Sequence, residues 1–156
     1  MEEFVSIEEI VRRPTIKFIK INEKAKLPTK AHDSDTGYDV YSVKGCVIPS
    51  KGSIIVDVGL KVAYISDGYW FETRGRSGMS FKSDVIAFAG TIDNGYRGVL
   101  GIKLFNLSEY DYVINEGDRV CQIAIVPIHR ADMEFVDEDE ATESERGEKG
   151  FGKSGK

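Results

Sequence analysis

Cysteine and histidine are scarce in this chain, and their scarcity narrows the chemistry available to it. Among 156 residues there are two cysteines, Cys46 and Cys121, and two histidines, His32 and His129. No grouping of them has the spacing of a zinc site, and neither histidine is placed for the serine–histidine pairing of a nucleophilic hydrolase. Cys121 falls in an apolar, strand-like run, which favours a small core residue over a reactive thiol.

Long apolar runs and an excess of positive charge are also missing. The formal net charge is −5 and the isoelectric point is near 5.1. This balance argues against a broad nucleic-acid-binding face, although a few arginines could still hold a single nucleotide. No run approaches the roughly 20 apolar residues of a membrane span. The acidic N-terminus, MEEFVSIEE, lacks the apolar core of a signal peptide, so we expect a cytoplasmic protein without membrane or nucleic-acid partners.

Strand signals dominate what is present. Apolar alternation or β-branched residues mark four runs: TIKFIKI (15–21), SIIVDVGLKVAYI (53–65), Val99 to Asn106, and RVCQIAIVPI (119–128). One strand face is expected to carry Ile54, Val56, Val58, Leu60 and Val62, and another Leu100, Ile102 and Leu104. Many short strands with frequent turns predict a single all-β domain, a sandwich or barrel. Helix is expected only over Ser6 to Arg13, ended by Pro14, and in a short piece, SFKSDV, after Ser80.

The C-terminal residues contain a literal P-loop pattern, G-x-x-x-x-G-K-S, from Gly147 to Ser154. A P-loop joins a buried strand to a helix. Here only Gly155 and Lys156 follow the pattern, and residues 132–145 before it hold eight acidic residues among fourteen, as in a solvated linker. The P-loop interpretation therefore fails its structural context. The Gly-rich end is either a disordered terminus or a mobile flap that closes over an anion bound elsewhere.

Polar residues interrupt the apolar runs at four places, and the first is AGTIDNGYRG (89–98). Apolar residues on both sides of Asn94-Gly95 predict a β-hairpin. Asp93, just before the turn, either caps that turn or serves as a general base held by rigid strands.

The second place is TRGRSGMS (73–80), where Arg74, Arg76, Ser77 and Ser80 alternate with glycines. Arginine offers paired donors to phosphate, serine adds a hydroxyl group, and glycine lets the backbone approach a ligand. The alternative is a polar turn with solvated arginines.

The third and fourth places are EGDRVCQIAIVPI (116–128) and HDSDTGYDVYS (32–42). Glu116-Gly117-Asp118 predicts a hairpin turn, and Gln122 needs polar partners among its apolar neighbours, from the protein or from a ligand. Asp33, Asp35 and Asp39 could offer oxygen ligands to a metal ion, but their spacing does not match an EF-hand loop.

Together and in this order, five stretches closely resemble the motifs of the trimeric deoxyuridine triphosphatases (dUTPases). These are HDSDTGYDVYS, RGRSGMS, AGTIDNGYRG with LFN after it, GDRVCQI and RGEKGFGKSG, and the resemblance covers about residues 15 to 155. Five ordered motifs are far more specific than any one of them.

The resemblance implies a jelly-roll-like β barrel with short helical pieces, assembled as a homotrimer in which all three chains build each active site. We expect an N-terminal extension (1–14) of unassigned function, a barrel domain (15–131), an acidic linker (132–145) and a Gly-rich phosphate-closing tail (146–156). The linker would carry the tail to a neighbouring chain.

The resemblance also implies roles for individual residues in the hydrolysis of dUTP to dUMP and pyrophosphate. Asp93 would activate the attacking water. The expected substrate-binding residues are Arg76, Ser77, Gly78 and Gln122 for phosphates, Gly90, Thr91 and Ile92 for uracil, Tyr96 under the deoxyribose, Phe151 stacked on uracil, and Arg146, Gly152, Lys153 and Ser154 at the γ-phosphate. Mg²⁺ would be held mainly by the phosphates, with Asp39 touching it only through water.

Some positions depart from the family pattern, and two rival functions follow from the sequence. Gly75 stands where proline is usual, Lys153 where serine is usual, and Ala87 where some relatives use asparagine to help hold uracil. The related deoxycytidine triphosphate deaminases share the A-G-x-I-D pattern, but Lys103 occupies the place of the glutamate they need. A non-enzymatic partner-binding role, with residues 1–14 and the linker as contact segments, also stays open.

Overall fold

The computed structural model describes residues 13–150 and Gly152, and most of its ordered backbone is β-strand. The strands in chain order are β1 (Ile16–Lys20), β2 (Gly37–Tyr41), β3 (Cys46–Ile48), β4 (Ser53–Ile65), β5 (Tyr69–Arg74), β6 (Val85–Ala87), β7 (Thr91–Ile92), β8 (Val99–Asn106), β9 (Tyr112–Ile114) and β10 (Arg119–Pro127). One α-helix, α1 (Ser77–Ser83), and one 3-10 turn, Glu138–Glu140, complete these elements. The helix expected over Ser6 to Arg13 lies almost wholly outside the described residues.

Two four-stranded antiparallel sheets face each other across the core, in the orders β1-β4-β8-β6 and β2-β10-β5-β7. We call them the first and second sheet. Strands β3 and β9 form a separate two-stranded sheet, whose Ile48 and Ile114 are buried in the same core. The all-β prediction is confirmed, and the arrangement is jelly-roll-like, although the described strands do not close into one continuous barrel.

Alternation along β4 and β8 builds the core as expected. Val56, Val58, Leu60 and Val62 of β4 are buried, as are Leu100, Ile102 and Leu104 of β8. The pairing of β1 with β4 shifts by one residue between Lys17 and Phe18, and beyond this bulge Ile65 rather than Tyr64 points inward. Each buried aliphatic side chain contributes about 1.5–3 kcal/mol. Cys121 is fully buried, which confirms its assignment to the core.

The helix expected after Ser80 exists but begins three residues earlier, at Ser77. It buries Met79 and ends at Asp84, whose left-handed backbone (φ 53°) closes the last turn through its N–H. The sequence did not predict a helix start at Ser77, because Gly78 in the first turn has a low helix propensity.

Both predicted hairpins are wrong in their pairing. The strands on either side of Asn94-Gly95 are β7 and β8, which belong to different sheets, and those flanking Glu116-Gly117-Asp118 are β9 and β10, which are not paired either. The turns themselves form: the Tyr96 N–H donates to the Asp93 carbonyl oxygen (3.0 Å), and Gly117 adopts φ 84°. Each segment crosses from one sheet to another.

The acidic linker runs on from β10 in exposed, mostly irregular backbone. Its 3-10 turn is closed by a capping box between Asp137 and Glu140. Among residues 13–150 and 152, no helix has the length and apolarity needed to cross a bilayer.

Candidate active site

The expected phosphate-binding side chains meet on the second sheet because of its register. Asp39 of β2 lies opposite Gln122 of β10, which in turn lies opposite Arg74 of β5. The backbone of Asp39 is also bridged to Thr29, through hydrogen bonds of 2.5 and 3.1 Å. Pairing with β10 on one side and with Thr29 on the other therefore fixes the backbone that carries the Asp39 carboxylate.

Two arginines converge on that carboxylate. Arg76 Nε lies 3.3 Å from Asp39 Oδ1, and Arg119 Nε lies 3.8 Å from Asp39 Oδ2. The Arg76 guanidinium group also donates to the Arg119 carbonyl oxygen (3.3 Å). One carboxylate shared by two guanidinium groups leaves a surplus of positive charge, which suits an anionic ligand.

Gln122 is half-buried and has a protein partner, because its Nε2 donates to the Gly75 carbonyl oxygen (2.9 Å). The Gln122 side chain lies against the Cα of Gly37, where any Cβ would collide with it. A small residue at position 37 thus makes room for the glutamine to lie along the sheet surface.

Ser77 and Gly78 enter the cluster as the first turn of α1. Arg76 precedes the helix in extended conformation, no side chain caps that turn, and the Arg76 carbonyl oxygen accepts from the N–H groups of Met79 and Ser80 (both 3.1 Å). A groove of about 470 Å³ adjoins the cluster, lined in part by Arg76, Met79, Tyr112, Asp118 and Arg119. The groove has room for a polar ligand beside the arginines.

The segment carrying Asp93 is built on the far edge of the same sheet. Ile92 pairs with Phe71 of β5, and next to this pairing the buried Thr73 fastens Gly90. Thr73 Oγ1 accepts from the Gly90 N–H (2.7 Å) and donates to the Phe88 carbonyl oxygen (3.0 Å). The Asp93 side chain is exposed just beyond this fastening point.

Tyr96 follows on the same turn with its ring held in place. Its hydroxyl group donates to the Val99 carbonyl oxygen (2.7 Å), and the ring lies over Gly98, where a Cβ would collide with it. Tyr96 is 41% exposed, so part of it is accessible from solvent.

Within one chain the strand register does not bring Asp93 to the cluster formed by Asp39, Arg76, Arg119 and Gln122. Ile92 pairs with Phe71, whereas Gln122 pairs with Arg74, three residues further along β5 and on its opposite side. Three residues of strand span about 10 Å, so the two groups lie on different parts of the sheet.

The expected tail residues are only partly described. Arg146 is exposed and its Nε donates to the Lys149 carbonyl oxygen (2.8 Å), and Gly152 is exposed with φ 84°. Phe151, Lys153 and Ser154 lie outside the described residues. The described part of the tail does not reach the phosphate-binding cluster of its own chain.

The Cys121 thiol beneath the cluster is not a nucleophile. Burial raises the pKa of Cys121 to about 11. Its Sγ–H donates to the carbonyl oxygens of Arg74 (3.0 Å) and Gln122 (3.3 Å), which only the protonated thiol can do. The thiol therefore stays protonated at neutral pH.

Metal ligation by protein groups alone finds little support among residues 13–150 and 152. There the one group of three clustered acidic side chains is Asp137, Asp139 and Glu140, exposed in the linker. Asp39 offers a single carboxylate, flanked by cations. Such a donor set fits an ion that arrives with oxygen ligands of its own, as Mg²⁺ does with phosphates.

Three residues in this region were missed from the sequence. Thr73 fastens Gly90, Asn94 anchors the turn after Asp93, and Arg119 shares Asp39. Thr73 stood inside a recognised polar stretch, but only the strand register reveals what it faces.

Comparison with known proteins agrees with this geometry. The family model described as dUTPase matches residues 23–155. The chain is 38% identical over 136 residues to the probable deoxyuridine 5'-triphosphate nucleotidohydrolase of Schizosaccharomyces pombe (87% of this chain, 95% of the relative). It is 37% identical to the deoxyuridine 5'-triphosphate nucleotidohydrolase of Candida albicans, with 91% and 89% covered.

Solved structures match as well. The dUTPase of Staphylococcus bacteriophage 80alpha, with dUpNHpp, superposes with a TM-score of 0.80 at 32% identity, covering 90% of this chain and 98% of the other. A mutant dUTPase from phage phi11 of S. aureus, described for its coordination of a structural Mg(II) ion, gives 0.72 at 29% identity, with 81% and 99% covered. The matched family model, the curated relatives and the shared fold together show that this chain belongs to the dUTPase family.

Proposed function

We propose that this protein hydrolyses dUTP to dUMP and pyrophosphate. Family membership supports the reaction, since the curated relatives are named as deoxyuridine 5'-triphosphate nucleotidohydrolases. The observation that carries the proposal is the pair of built half-sites: the Asp39–Arg76–Arg119–Gln122 cluster for an anion, and a fastened turn that exposes Asp93 for chemistry.

Asp93 acts as general base in this mechanism. Its carboxylate takes a proton from a water molecule as the water oxygen bonds to the α-phosphorus. The bond from that phosphorus to the bridging oxygen breaks, and pyrophosphate leaves with the electron pair. The short β7 pairing and the Thr73 contacts support the role, because a base must be held within hydrogen-bond reach of the water.

Arg76, Ser77, Gly78 and Gln122 bind the phosphates. Arg76 exchanges its contact with Asp39 for phosphate oxygens, and Arg119 remains to neutralise Asp39. The uncapped first turn of α1 supplies the N–H groups of Ser77 and Gly78 to the same anion. Arg146, Gly152, Lys153 and Ser154 of a tail complete the enclosure of the γ-phosphate.

Backbone groups of residues 90–92 read uracil. β7 (Thr91 and Ile92) is one of the two edge strands of the second sheet, so the side of its backbone away from β5 is open to pair with the base. Gly90 positions this segment, because its N–H and carbonyl oxygen bond to Thr73. Fixed donors and acceptors reject cytosine, because the wrong base leaves buried polar groups unpaired. Tyr96 sits under the deoxyribose and excludes a 2′-hydroxyl group, and Phe151 stacks on the uracil.

Mg²⁺ would accompany the triphosphate, and Asp39 would contact it only through water. The ion would supply neutralisation of the charge that develops on the phosphate oxygens. Arg119 keeps its contact with Asp39 Oδ2 when Arg76 turns to the phosphates, so Asp39 is already partly neutralised and is a weak direct ligand.

The enzyme works as a homotrimer with shared sites. The outer face of the first sheet exposes Ile55 (70%) and Ile86 (40%), and Phe88 (61%) follows directly after β6; these apolar side chains are suited to contact another chain. The separation of Asp93 from the phosphate cluster within one chain supports a site completed by a neighbour. The acidic linker (132–145) then delivers the tail to the third chain.

The test is pyrophosphate release by purified protein with Mg²⁺, comparing dUTP with dCTP, dTTP and UTP. Asp93→Asn keeps the size of the side chain but removes the base, and Asp132→Asn in the exposed linker makes the same change in charge away from the site. We expect release from dUTP alone, reduced about 10²–10⁴-fold by Asp93→Asn and unchanged by Asp132→Asn. A folded wild-type protein that leaves dUTP intact sinks the proposal, and ammonia release from dCTP would favour the deaminase instead.

A further inference from the structure

The turn that carries Asp93 is held before its start by Thr73 and β7 and after its end by the bond from the Val62 N–H to the Gly98 carbonyl oxygen (2.9 Å), and bonds of its own fix its shape. The Tyr96 N–H closes it onto the Asp93 carbonyl oxygen (3.0 Å), and the Arg97 guanidinium group binds the carbonyl oxygens of Asn94 (2.7 Å) and Tyr96 (2.8 Å). These bonds fix the shape of the turn. They do not fix its direction, and β7 before it pairs over only two residues.

The Asn94 side chain attaches the middle of the turn to the backbone behind it. Its Nδ2 donates to the carbonyl oxygens of Tyr69 (2.8 Å) and Ser66 (2.9 Å), and the carbonyl oxygen of Ile65 lies at 3.4 Å. The three acceptors surround the corner between β4 and β5: Ile65 ends β4, Ser66 lies in the connection, and Tyr69 begins β5. Only a side chain that presents N–H groups can satisfy them, since an oxygen at this position would face three carbonyl oxygens.

The connection that receives Asn94 is itself tied to the ends of the domain. The Ser66 N–H donates to the Thr15 carbonyl oxygen (2.9 Å), and the Thr15 N–H donates to Ser66 Oγ (2.7 Å). The Ile128 N–H, just after β10, donates to the Gly68 carbonyl oxygen (2.8 Å). A connection held at both ends is a firm base for the turn, because it cannot follow the turn's motion.

We propose that Asn94 is the positioning residue of Asp93, aiming the carboxylate by locking its turn to the β4–β5 connection. The inference rests on the proposed hydrolysis of dUTP. Asn94 does not touch the substrate; it acts through the backbone of the residue before it. A base displaced by about 1 Å can lose about 10²-fold in rate while binding is retained.

The experiment compares Asn94→Asp with Asn94→Ser and with Asn22→Asp. Asn94→Asp replaces both N–H donors by a carboxylate oxygen of the same size, and Asn94→Ser keeps one donor. Asn22→Asp adds the same charge on an exposed loop and keeps the oxygen that accepts from the Lys24 N–H. Steady-state hydrolysis of dUTP, affinity for the non-hydrolysable dUpNHpp, and thermal unfolding are measured for each variant.

We expect Asn94→Asp to lower kcat about 10²-fold and to change dUpNHpp affinity less than about threefold, with Asn94→Ser between it and wild type. Asn22→Asp should match wild type. The ratio of Asn94→Asp to wild-type turnover should also rise from pH 8 to about pH 5, because the facing carbonyl oxygens favour the neutral form of the new carboxyl group and the protonated group regains one donor.

Two outcomes overturn the inference. The first is wild-type kcat in a folded Asn94→Asp protein. The second is an equal fall in kcat and dUpNHpp affinity, in line with lost stability, which assigns Asn94 to the scaffold alone. If Asn94→Asp does not fold, an unchanged kcat in Asn94→Ser counts as the first outcome. Failure of the wild-type protein to hydrolyse dUTP removes the proposed function itself and is thereby distinct from all of these.

Discussion

At the scale of single residues, the site depends on positions where a side chain is absent as much as on those where one is present. Gly37 is the clearest case, because it lets Gln122 lie across it and reach the Gly75 carbonyl oxygen. Its φ is not in the left-handed region, so the backbone itself would accept alanine. The constraint on position 37 is therefore space for Gln122.

Gly37→Ala is predicted to impair catalysis more than stability. The new Cβ forces Gln122 away from its place, and a lost hydrogen bond to a charged phosphate costs about 1.5–3 kcal/mol. The kcat/KM for dUTP should fall about tenfold or more, measured by pyrophosphate release. Gly45→Ala is the matched control, because its Cβ would meet only the Ile114 carbonyl oxygen at 3.5 Å. Equal activity of the two variants contradicts this reading of position 37.

Cys121 is predicted to be inert in the native protein. Burial raises its pKa from the ordinary 9.0 to about 11. The neutral thiol is thus favoured by folding: this stabilisation is complete below pH 9 and is lost as pH rises from 9 through 11. Iodoacetamide at pH 8.5, followed by peptide mass spectrometry, should label Cys121 only after denaturation in urea. The part-exposed Cys46, whose pKa burial also raises, should label slowly in the native state; rapid native labelling of Cys121 would contradict its burial.

At the scale of elements, alternation in the sequence located strands well and their partners poorly. β4 and β8 begin and end where the apolar pattern predicts, because each buries one face. The partner of a strand depends on contacts distant along the chain. For this reason Asn94-Gly95 was wrongly assigned to a hairpin, although a tight turn does form there. The anchoring roles of Thr73 and Asn94 could not be predicted for the same reason, because their partners are distant along the chain.

Asn106, the last residue of β8, is predicted to hold three elements together. It is fully buried: its Nδ2 donates to the carbonyl oxygens of Ile48 (3.0 Å) and Tyr110 (2.7 Å), and its Oδ1 accepts from the N–H of Ser108 (3.0 Å). Asn106→Ala leaves these backbone groups without their hydrogen-bond partner, and each unsatisfied buried group costs about 1–3 kcal/mol. We expect a loss of about 2–4 kcal/mol in the free energy of unfolding, from urea titration. Asn22→Ala on the exposed loop serves as the control, and an equal loss in both variants would refute the special role of Asn106.

At the scale of the whole molecule, the motifs established the family and the expected residue types, but not the distances between them. Asp39, Arg76 and Gln122 were expected to act together and do lie together. Asp93 lies on another part of the sheet. The resemblance implies a site built from all three chains, and this separation is compatible with that prediction. We therefore propose that assembly joins the two half-sites.

Mixing two inactive variants tests whether the site is shared. Asp93→Asn and Arg76→Ala each disable one half-site, so each pure protein should be nearly inactive. In trimers reassembled from an equal mixture, a site is intact when its Arg76 comes from an Asp93→Asn chain and its Asp93 comes from a neighbouring Arg76→Ala chain. Each condition holds for half of the chains, so about a quarter of the wild-type activity should return. Pyrophosphate release is measured before and after joint denaturation and refolding, with each variant refolded alone as the control. Light scattering checks that the mixed trimers have the correct mass. If their activity stays at the level of the single variants, Asp93 and Arg76 of one chain belong to the same site. That chain would then have to close a gap of about 10 Å along β5.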